Sequence, residues 1–207
     1  MVTYESLLSG DVDWAFREGS RHFEKESAVH KSLHRITKHL AEFGIHYAIA
    51  GGMALFYHGY RRFTEDIDIV VTSAGLTQIH EQLEGLGYIA LFAGSRCLRD
   101  AESGVRIEFL VAGEYPGDGR PKPVAFPDPA AVGVAVEGMC FLRLATLVEL
   151  KLAAGITSPR RTRDLADVQE LIGLLGLPEE FADQLHQFVR AKYRELWQVI
   201  RDNPQQP

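Results

Sequence analysis

Apolar positions three and four residues apart predict the first long helix of the chain. We expect it to begin near residue 20 and to end at Gly44, because a glycine after the last periodic residue commonly terminates a helix. Residues 1–18 show only weak periodicity. The predicted apolar face consists of Leu33, Ile36, Leu40 and Phe43.

The middle of the chain changes from helical spacing to short runs rich in β-branched residues, which are typical of strands. Residues 113–129 contain three glycines and five prolines and predict a surface loop within the same domain. The whole pattern predicts strands over 46–50, 64–72, 88–92, 96–99, 105–111 and 132–136, short helices over 53–58 and 76–86, and a hairpin turn at 100–104.

Helical spacing returns in the last third of the chain. It predicts helices over 144–155, 162–175 and 179–201. We therefore predict an α+β protein, in which a small mixed β-sheet is flanked by helices and followed by a helical C-terminal part. The join is expected near residue 140. It divides the chain into a core over 1–140 and a helical region over 141–207 that packs on that core.

Composition narrows the class of protein without pointing to a function. The 207 residues are 46% hydrophobic and 24% charged, which fits a globular protein, and the net charge of −6 argues against nonspecific coating of nucleic acid. No run approaches the roughly 18 apolar residues of a membrane span, and the N-terminus lacks a signal-peptide pattern. Cys97 and Cys140 are too few for a disulfide framework, so we expect a cytoplasmic protein.

A local basic patch is compatible with this negative charge. Arg160, Arg161 and Arg163 either contact a polyanion or form a solvated loop beside a helix start. The eight histidines show no zinc-ligand spacing, and we expect His30 and His34, four residues apart, on a solvated helix face.

Two aspartates carry the clearest chemical signal. Asp66 and Asp68 are two residues apart in a predicted strand, so both side chains point to the same face, while Ile67 points into the core. Adjacent carboxylates repel unless a cation lies between them, and Mg²⁺ is often held by one or two carboxylates together with substrate phosphates. Either the pair binds metal, or it is the acidic wet face of a half-exposed strand.

The neighbouring residues favour the metal-binding alternative. Gly51 and Gly52 follow a strand and open a helix, where backbone N–H groups can hold a phosphate; a plain tight turn is the alternative. Arg62 and Thr64 come just before the acidic strand. They either contact phosphate, or Arg62 pairs with an acid at the surface.

A third carboxylate lies in a later predicted strand. Glu108 is on the face opposite Ile107, and it completes a metal site if its strand neighbours the one with Asp66 and Asp68. The alternative is an exposed glutamate paired with Arg106 or with a cross-strand partner. Asp118, in a Gly-Asp-Gly loop, is a weaker candidate, and a turn aspartate is the better interpretation.

Taken together, Ala50-Gly51-Gly52, Arg62-x-Thr64-x-Asp66-Ile67-Asp68 and a later acid resemble the nucleotidyltransferase superfamily with the DNA polymerase β type of fold. More narrowly, the chain is similar to the AbiEii-like nucleotidyltransferases, the toxins of type IV toxin–antitoxin systems. The segments 147–154 and 163–168 resemble that group's third and fourth motifs.

The resemblance implies Mg²⁺-dependent transfer of an NMP from an NTP, such as ATP, to an acceptor that is RNA or protein, with up to two metal ions and a cognate antitoxin as partner. It implies that Asp66 and Asp68 bind Mg²⁺ and that Gly51 and Gly52 hold the triphosphate. No membrane contact is implied, and the oligomeric state stays open.

Two later residues also receive roles from the resemblance. Lys151 would contact the nucleotide phosphates or help the acceptor attack, and Asp164 would be a further active-site polar group. From the residues alone, Lys151 could instead extend out of an apolar helix face, and Asp164 could cap its helix. Arg163 and Asp167 are four residues apart and could form a surface pair.

One position departs from the superfamily pattern, because the third acid is most often aspartate and the candidate here is Glu108. The extra methylene moves the carboxylate oxygens by about 1.5 Å. Two alternatives therefore stand beside the RNA or protein modifier. One is an enzyme that nucleotidylates a small molecule such as an antibiotic, and the other is a nucleotide-binding module with a weakened site.

Overall fold

A computed structural model describes residues 2–203 of the chain. Its helices are α1 (Tyr4–Gly10), α2 (Val12–Phe23), α3 (Ala28–Glu42), α4 (Gly51–Tyr57), α5 (Ser73–Leu83), α6 (Pro129–Val132), α7 (Leu144–Thr157), α8 (Thr162–Leu175) and α9 (Gln187–Asp202). Its strands are β1 (Tyr47–Ile49), β2 (Asp66–Val71), β3 (Tyr88–Ala90), β4 (Cys97–Asp100), β5 (Arg106–Val111), β6 (Gly133–Val136) and β7 (Met139–Leu142). Two 3₁₀ helices, Pro159–Arg161 and Glu179–Gln184, lie between the last three helices.

The strands form one mixed seven-stranded sheet in the order β3-β4-β5-β2-β1-β7-β6. The pairs β2–β5 and β1–β7 are parallel, and the other four pairs are antiparallel. This confirms the predicted α+β class with a helical C-terminal part. The central position of β2 matters most, because it places the acidic strand between β1, which leads to the double glycine, and β5, which carries Glu108.

Burial follows the predicted faces of the helices and strands. On α3 the side chains of Leu33, Ile36 and Leu40 are buried, and on β2 and β5 the buried residues alternate with the half-buried acids. A single cluster of buried apolar residues includes side chains from the sheet and from α7, α8 and α9. The last helices therefore share one hydrophobic cluster with the sheet.

Several predicted boundaries were wrong. The expected helix from residue 20 is two helices, because the chain turns at Glu24–Ser27 and α3 restarts with the Ser27 hydroxyl accepting from His30 N–H. Residues 4–18, which showed only weak periodicity, also fold into α1 and most of α2. The expected helix over 179–201 divides into a 3₁₀ helix and α9, and His186 caps the start of α9.

Strand β7 was missed by the sequence pattern, and it contains the predicted join at residue 140. Its parallel pairing with β1 places residues up to Leu142 in the sheet, and the helical part begins at Leu144. The division into 1–140 and 141–207 stays a prediction. Along residues 2–203, no helix has the length and apolarity needed to cross a bilayer.

Candidate active site

The register of β2 and β5 brings three carboxylates onto one face of the sheet. Asp66 lies opposite Arg106, and Asp68 lies opposite Glu108. Paired residues in neighbouring strands share a face, so the four side chains stand together. Glu108 could act as a third acid only if its strand lies beside β2, and the register shows that it does. The alternative ion pair is also present, since Arg106 Nη2 lies 3.2 Å from Glu108 Oε2.

Asp68 is the most strongly perturbed of these acids. Its burial and the neighbouring charges of Asp66 and Glu108 raise its pKa from the ordinary 3.8 to about 7, against the opposing effects of Lys151 and Arg106. Within the described chain, its side chain forms no ion pair. Asp68 therefore holds a proton more readily than an ordinary aspartate does.

Gly51 and Gly52 leave space for the side chains of Asp68 and Thr64. Gly51 has φ +55°, and a Cβ added there would lie 1.8 Å from Asp68 Oδ2. A Cβ on Gly52 would lie 2.6 Å from the side chain of Thr64. The double glycine lets the start of α4 approach Asp68 and Thr64 more closely than any residue with a Cβ could.

Replacing Gly51 with alanine is therefore expected to disturb the site more than the same change at Gly10, whose Cβ would meet nothing within 4 Å. The added methyl forces Asp68 aside in a conformation that already disfavours side chains. We expect binding of a magnesium–nucleotide complex to weaken at least about tenfold, a change of roughly 1.4 kcal/mol. Isothermal titration of both variants would measure it, and equal affinities would contradict the packing argument.

The segment before β2 is held by two side chains that were expected to contact phosphate. The Thr64 hydroxyl donates to Asp66 Oδ1 at 3.0 Å and is buried. Arg62 donates through Nε and Nη2 to the two oxygens of Asp167, at 2.9 and 3.1 Å. Arg62 thus pairs with an acid, but that acid is buried. On its other side, His22 from α2 lies 3.1 Å from the Arg62 carbonyl through Nε2.

Lys151, Asp164 and Asp167 complete a buried charge network with Arg62. Lys151 Nζ donates to Asp164 Oδ1 at 2.8 Å and to Asp167 Oδ2 at 2.7 Å. Its side chain is 8% exposed, so it does not extend into solvent. The network joins α7, α8 and the segment before β2 into one wall of the site.

Asp167 was the residue that sequence reasoning missed. Its spacing from Arg163 suggested a surface pair, but its side chain is only 2% exposed and pairs with Arg62 and Lys151. The surface pair was wrong. Asp164 is in the first turn of α8 but, instead of capping the helix, it accepts from Lys151 and lies 3.6 Å from Arg161.

The loop over 113–128 is more than a surface excursion. Val124 is buried, and Pro116, Gly117 and Phe126 line the site. Lys122 fixes this wall by donating to the Pro116 carbonyl and to Thr157 on α7. Asp118 accepts from Lys122 and from Arg120 N–H, which is the turn role expected for it.

These groups surround one cleft of about 580 Å³. The carboxylates of the sheet form its floor, the network of Lys151 lies on one side, and the exposed side chains of Arg160, Arg161 and Arg163 stand at its rim. Apolar side chains from the sheet, the loop and α7 line the rest, namely Leu110, Phe126, Leu142, Leu147 and Leu150. The cleft offers acidic, basic and apolar surfaces to one ligand.

The two histidines expected on a solvated helix face differ in burial. His34 is exposed as expected, but His30 is buried, and burial lowers its pKa to about 4. Cys97 and Cys140 are partly buried free thiols.

The chemistry of the acids fits a hard divalent cation. Oxygen ligands suit Mg²⁺, which commonly takes only one or two carboxylates and completes its coordination with substrate and water. Burial first, and then the charges of Asp66 and Glu108, raise the pKa of Asp68 to about 7, and a bound cation would offset those two charges. Across residues 2–203, however, no three His, Cys, Asp or Glu side chains are arranged closely enough to enclose a metal by themselves.

Comparison with known proteins identifies a family whose model matches most of the chain. A family model with the description "Nucleotidyl transferase AbiEii toxin, Type IV TA system" matches residues 35–206. No curated protein matches the chain.

Two of the solved structures to which the chain is similar show the same fold at low sequence identity. The crystal structure of ANT(2'')-Ia in complex with adenylyl-2''-tobramycin is 13% identical, with a TM-score of 0.52, and the match covers 80% of this chain and 96% of that one. The solution structure of the antibiotic-resistance factor ANT(2'')-Ia is 15% identical, with a TM-score of 0.52 and coverages of 82% and 93%. JHP933 from Helicobacter pylori is 15% identical, with a TM-score of 0.47 and coverages of 84% and 90%.

Proposed function

The chain belongs to the AbiEii nucleotidyltransferase family, and from that membership we propose a magnesium-dependent enzyme that transfers an NMP from an NTP to RNA or protein. The observation that carries the proposal is the register of β2 and β5. It sets Asp68 beside Glu108 at the floor of the cleft, with Asp66 two residues before Asp68 on the same face. We further propose that the protein acts in the cytoplasm and has a cognate antitoxin, as the family description suggests.

The proposed chemistry assigns each group a task. Asp66, Asp68 and Glu108 would hold the metal together with the substrate phosphates, and the metal would supply Lewis-acid activation of those phosphates. Thr64 orients Asp66 through its hydroxyl at 3.0 Å. The acceptor hydroxyl attacks the α-phosphorus of the NTP in line, and pyrophosphate leaves.

The triphosphate is proposed to lie against Gly51 and Gly52, where the backbone is open to close approach. Lys151 is proposed to offset phosphate charge from the side of the cleft, and Asp164 holds its ammonium group at 2.8 Å. Arg62 acts here mainly through Asp167, which fixes the segment that carries Thr64. The protein thus supplies positioning and charge neutralisation.

The rim arginines support a polyanionic acceptor. Arg160 and Arg163 are exposed at the mouth of the cleft, where a phosphate backbone can reach them. A small-molecule acceptor is the second candidate, since apolar residues such as Phe126 and Leu147 line part of a walled cleft. ANT(2'')-Ia, whose crystal structure is a complex with adenylyl-2''-tobramycin, shares the fold.

Incubation with each α-³²P-labelled NTP, Mg²⁺ and either cell RNA, cell protein or a panel of aminoglycosides would test the proposal. We expect label in RNA or protein with the wild type and none with a variant carrying Asp66→Ala and Asp68→Ala. Label only in a small molecule would favour the second candidate. Nucleotide binding by isothermal titration without any labelled product would instead favour a binding module.

A further inference from the structure

Arg106 is a fourth member of the carboxylate face that the proposed reaction does not use. Its backbone lies directly opposite Asp66 in the parallel pair β2–β5, and Glu108 follows two residues later on the same face. The register alone therefore places one guanidinium among three acids, whatever else is bound there.

The guanidinium bridges acids from both strands with a single nitrogen. Arg106 Nη2 lies 3.0 Å from Asp66 Oδ2 and 3.2 Å from Glu108 Oε2. A divalent ion held by those two carboxylates would need oxygens of both at about 2.0–2.1 Å. The two cations therefore compete for the same pair of carboxylates.

Arg106 differs from the structural arginine of this site. Arg62 is 17% exposed and gives two N–H groups to one buried carboxylate, which fixes it in place. The side chain of Arg106 is 36% exposed, and those of its partners Asp66 and Glu108 are 30% and 34% exposed. A half-exposed ion pair is weak and can open without leaving a buried charge unpaired.

From these contacts we propose that Arg106 is a resident counter-cation that competes with the first divalent ion for Asp66 and Glu108. The inference rests on the proposed function, because it assumes that these acids receive the catalytic metal. In the free protein the arginine holds metal affinity low. The metal then enters most readily together with the nucleotide, whose phosphates supply the ligands that the engaged carboxylates do not.

Binding of Mn²⁺ without nucleotide would test this competition, with free Mn²⁺ followed by its electron paramagnetic resonance signal. We expect Arg106→Gln to bind Mn²⁺ about tenfold more tightly than the wild type, since the hydrogen bonds of a charged group that is partly solvated contribute about that much. Arg106→Lys should lie between them, because lysine keeps the charge but not the planar fork.

The matched control is Arg96→Gln, which removes the same charge from an arginine that pairs with Glu114 instead. It should leave Mn²⁺ affinity unchanged, because its exposed charge is engaged by Glu114 and screened by salt. Adding Glu108→Gln to Arg106→Gln should abolish the gain, which locates the ion at the acids that Arg106 contacts. Circular dichroism verifies that each variant is folded.

Unchanged or weaker Mn²⁺ binding by a folded Arg106→Gln variant would overturn the inference, and so would an equal gain in the Arg96 control. Its failure is distinguishable from failure of the proposed function. Labelled product from the wild type with no gain in Arg106→Gln rejects only the competition. A gain in Arg106→Gln with no labelled product from any NTP rejects only the transferase activity.

Discussion

Replacing Asp68 with asparagine is expected to abolish nucleotidyl transfer while making the metal-free protein more stable at pH 8. The loss of a metal-binding carboxylate should lower the rate by about three orders of magnitude. The gain in stability arises because asparagine has nearly the same shape but no charge to repel Asp66 and Glu108.

The pH dependence of this gain follows from the direction of the pKa shift. The pKa of Asp68 is about 7 in the folded protein and near its ordinary 3.8 in the unfolded chain. Between these values only the folded state holds the proton, so the stability of the wild type falls as pH rises from 4 to 7. The advantage of Asp68→Asn should therefore be absent near pH 4 and reach about 4 kcal/mol above pH 7, since the two pKa values differ by about three and each unit corresponds to about 1.4 kcal/mol.

Urea unfolding at pH 4.5, 6 and 8 in the presence of EDTA would measure both variants, and a labelled-NTP assay would measure the rate. Asp13→Asn, an exposed aspartate in the first turn of α2, is the matched control and should change neither quantity. A variant that is less stable than the wild type at pH 8 would show that Asp68 holds the native structure together instead of straining it.

Replacing Asp167 with asparagine is expected to cost about 3 kcal/mol of folding stability, because it leaves two buried cations short of a partner. Asp167 is 2% exposed and accepts from Arg62 and Lys151 together. Activity should fall as well, since Arg62 then no longer fixes the segment that places Thr64 against Asp66.

Arg163→Gln is the control for Asp167→Asn, because Arg163 and Asp167 would form the surface pair that their helical spacing suggests. It should change the stability by less than about 0.5 kcal/mol. Asp164→Asn should have an intermediate effect, since Lys151 keeps its contact with Asp167. Chemical denaturation would rank the three variants, and a loss in Arg163→Gln equal to that in Asp167→Asn would contradict the network.

Short-range patterns predicted the acid strand and its surroundings well. In strands, alternation fixes the face of every side chain, so Asp66 and Asp68 could be placed together and Ile67 opposite them without a structure. The apolar face of α3 was equally clear, because its spacing repeats over several turns. The family resemblance, confirmed by the match over residues 35–206, supplied the activity that these local patterns could not.

Local patterns failed where a contact with a distant residue decides the structure. Strand β7 is short and carries no alternation of its own, so its pairing with β6 and β1 is what identifies it. The loop over 113–128 looked like a surface excursion because proline and glycine dominate it. Its attachment to α7 through Lys122 is a tertiary contact.

The sequence by itself determined the α+β class, the identity of the acidic strand and the family. Only the tertiary structure decided which acids and bases are partners. Asp167 pairs with Arg62, which is 105 residues away, and Arg106 reaches Asp66 across a strand register that no spacing in the sequence reveals. Periodicity reports the face on which a side chain lies, whereas the partner on that face is set by how the elements pack.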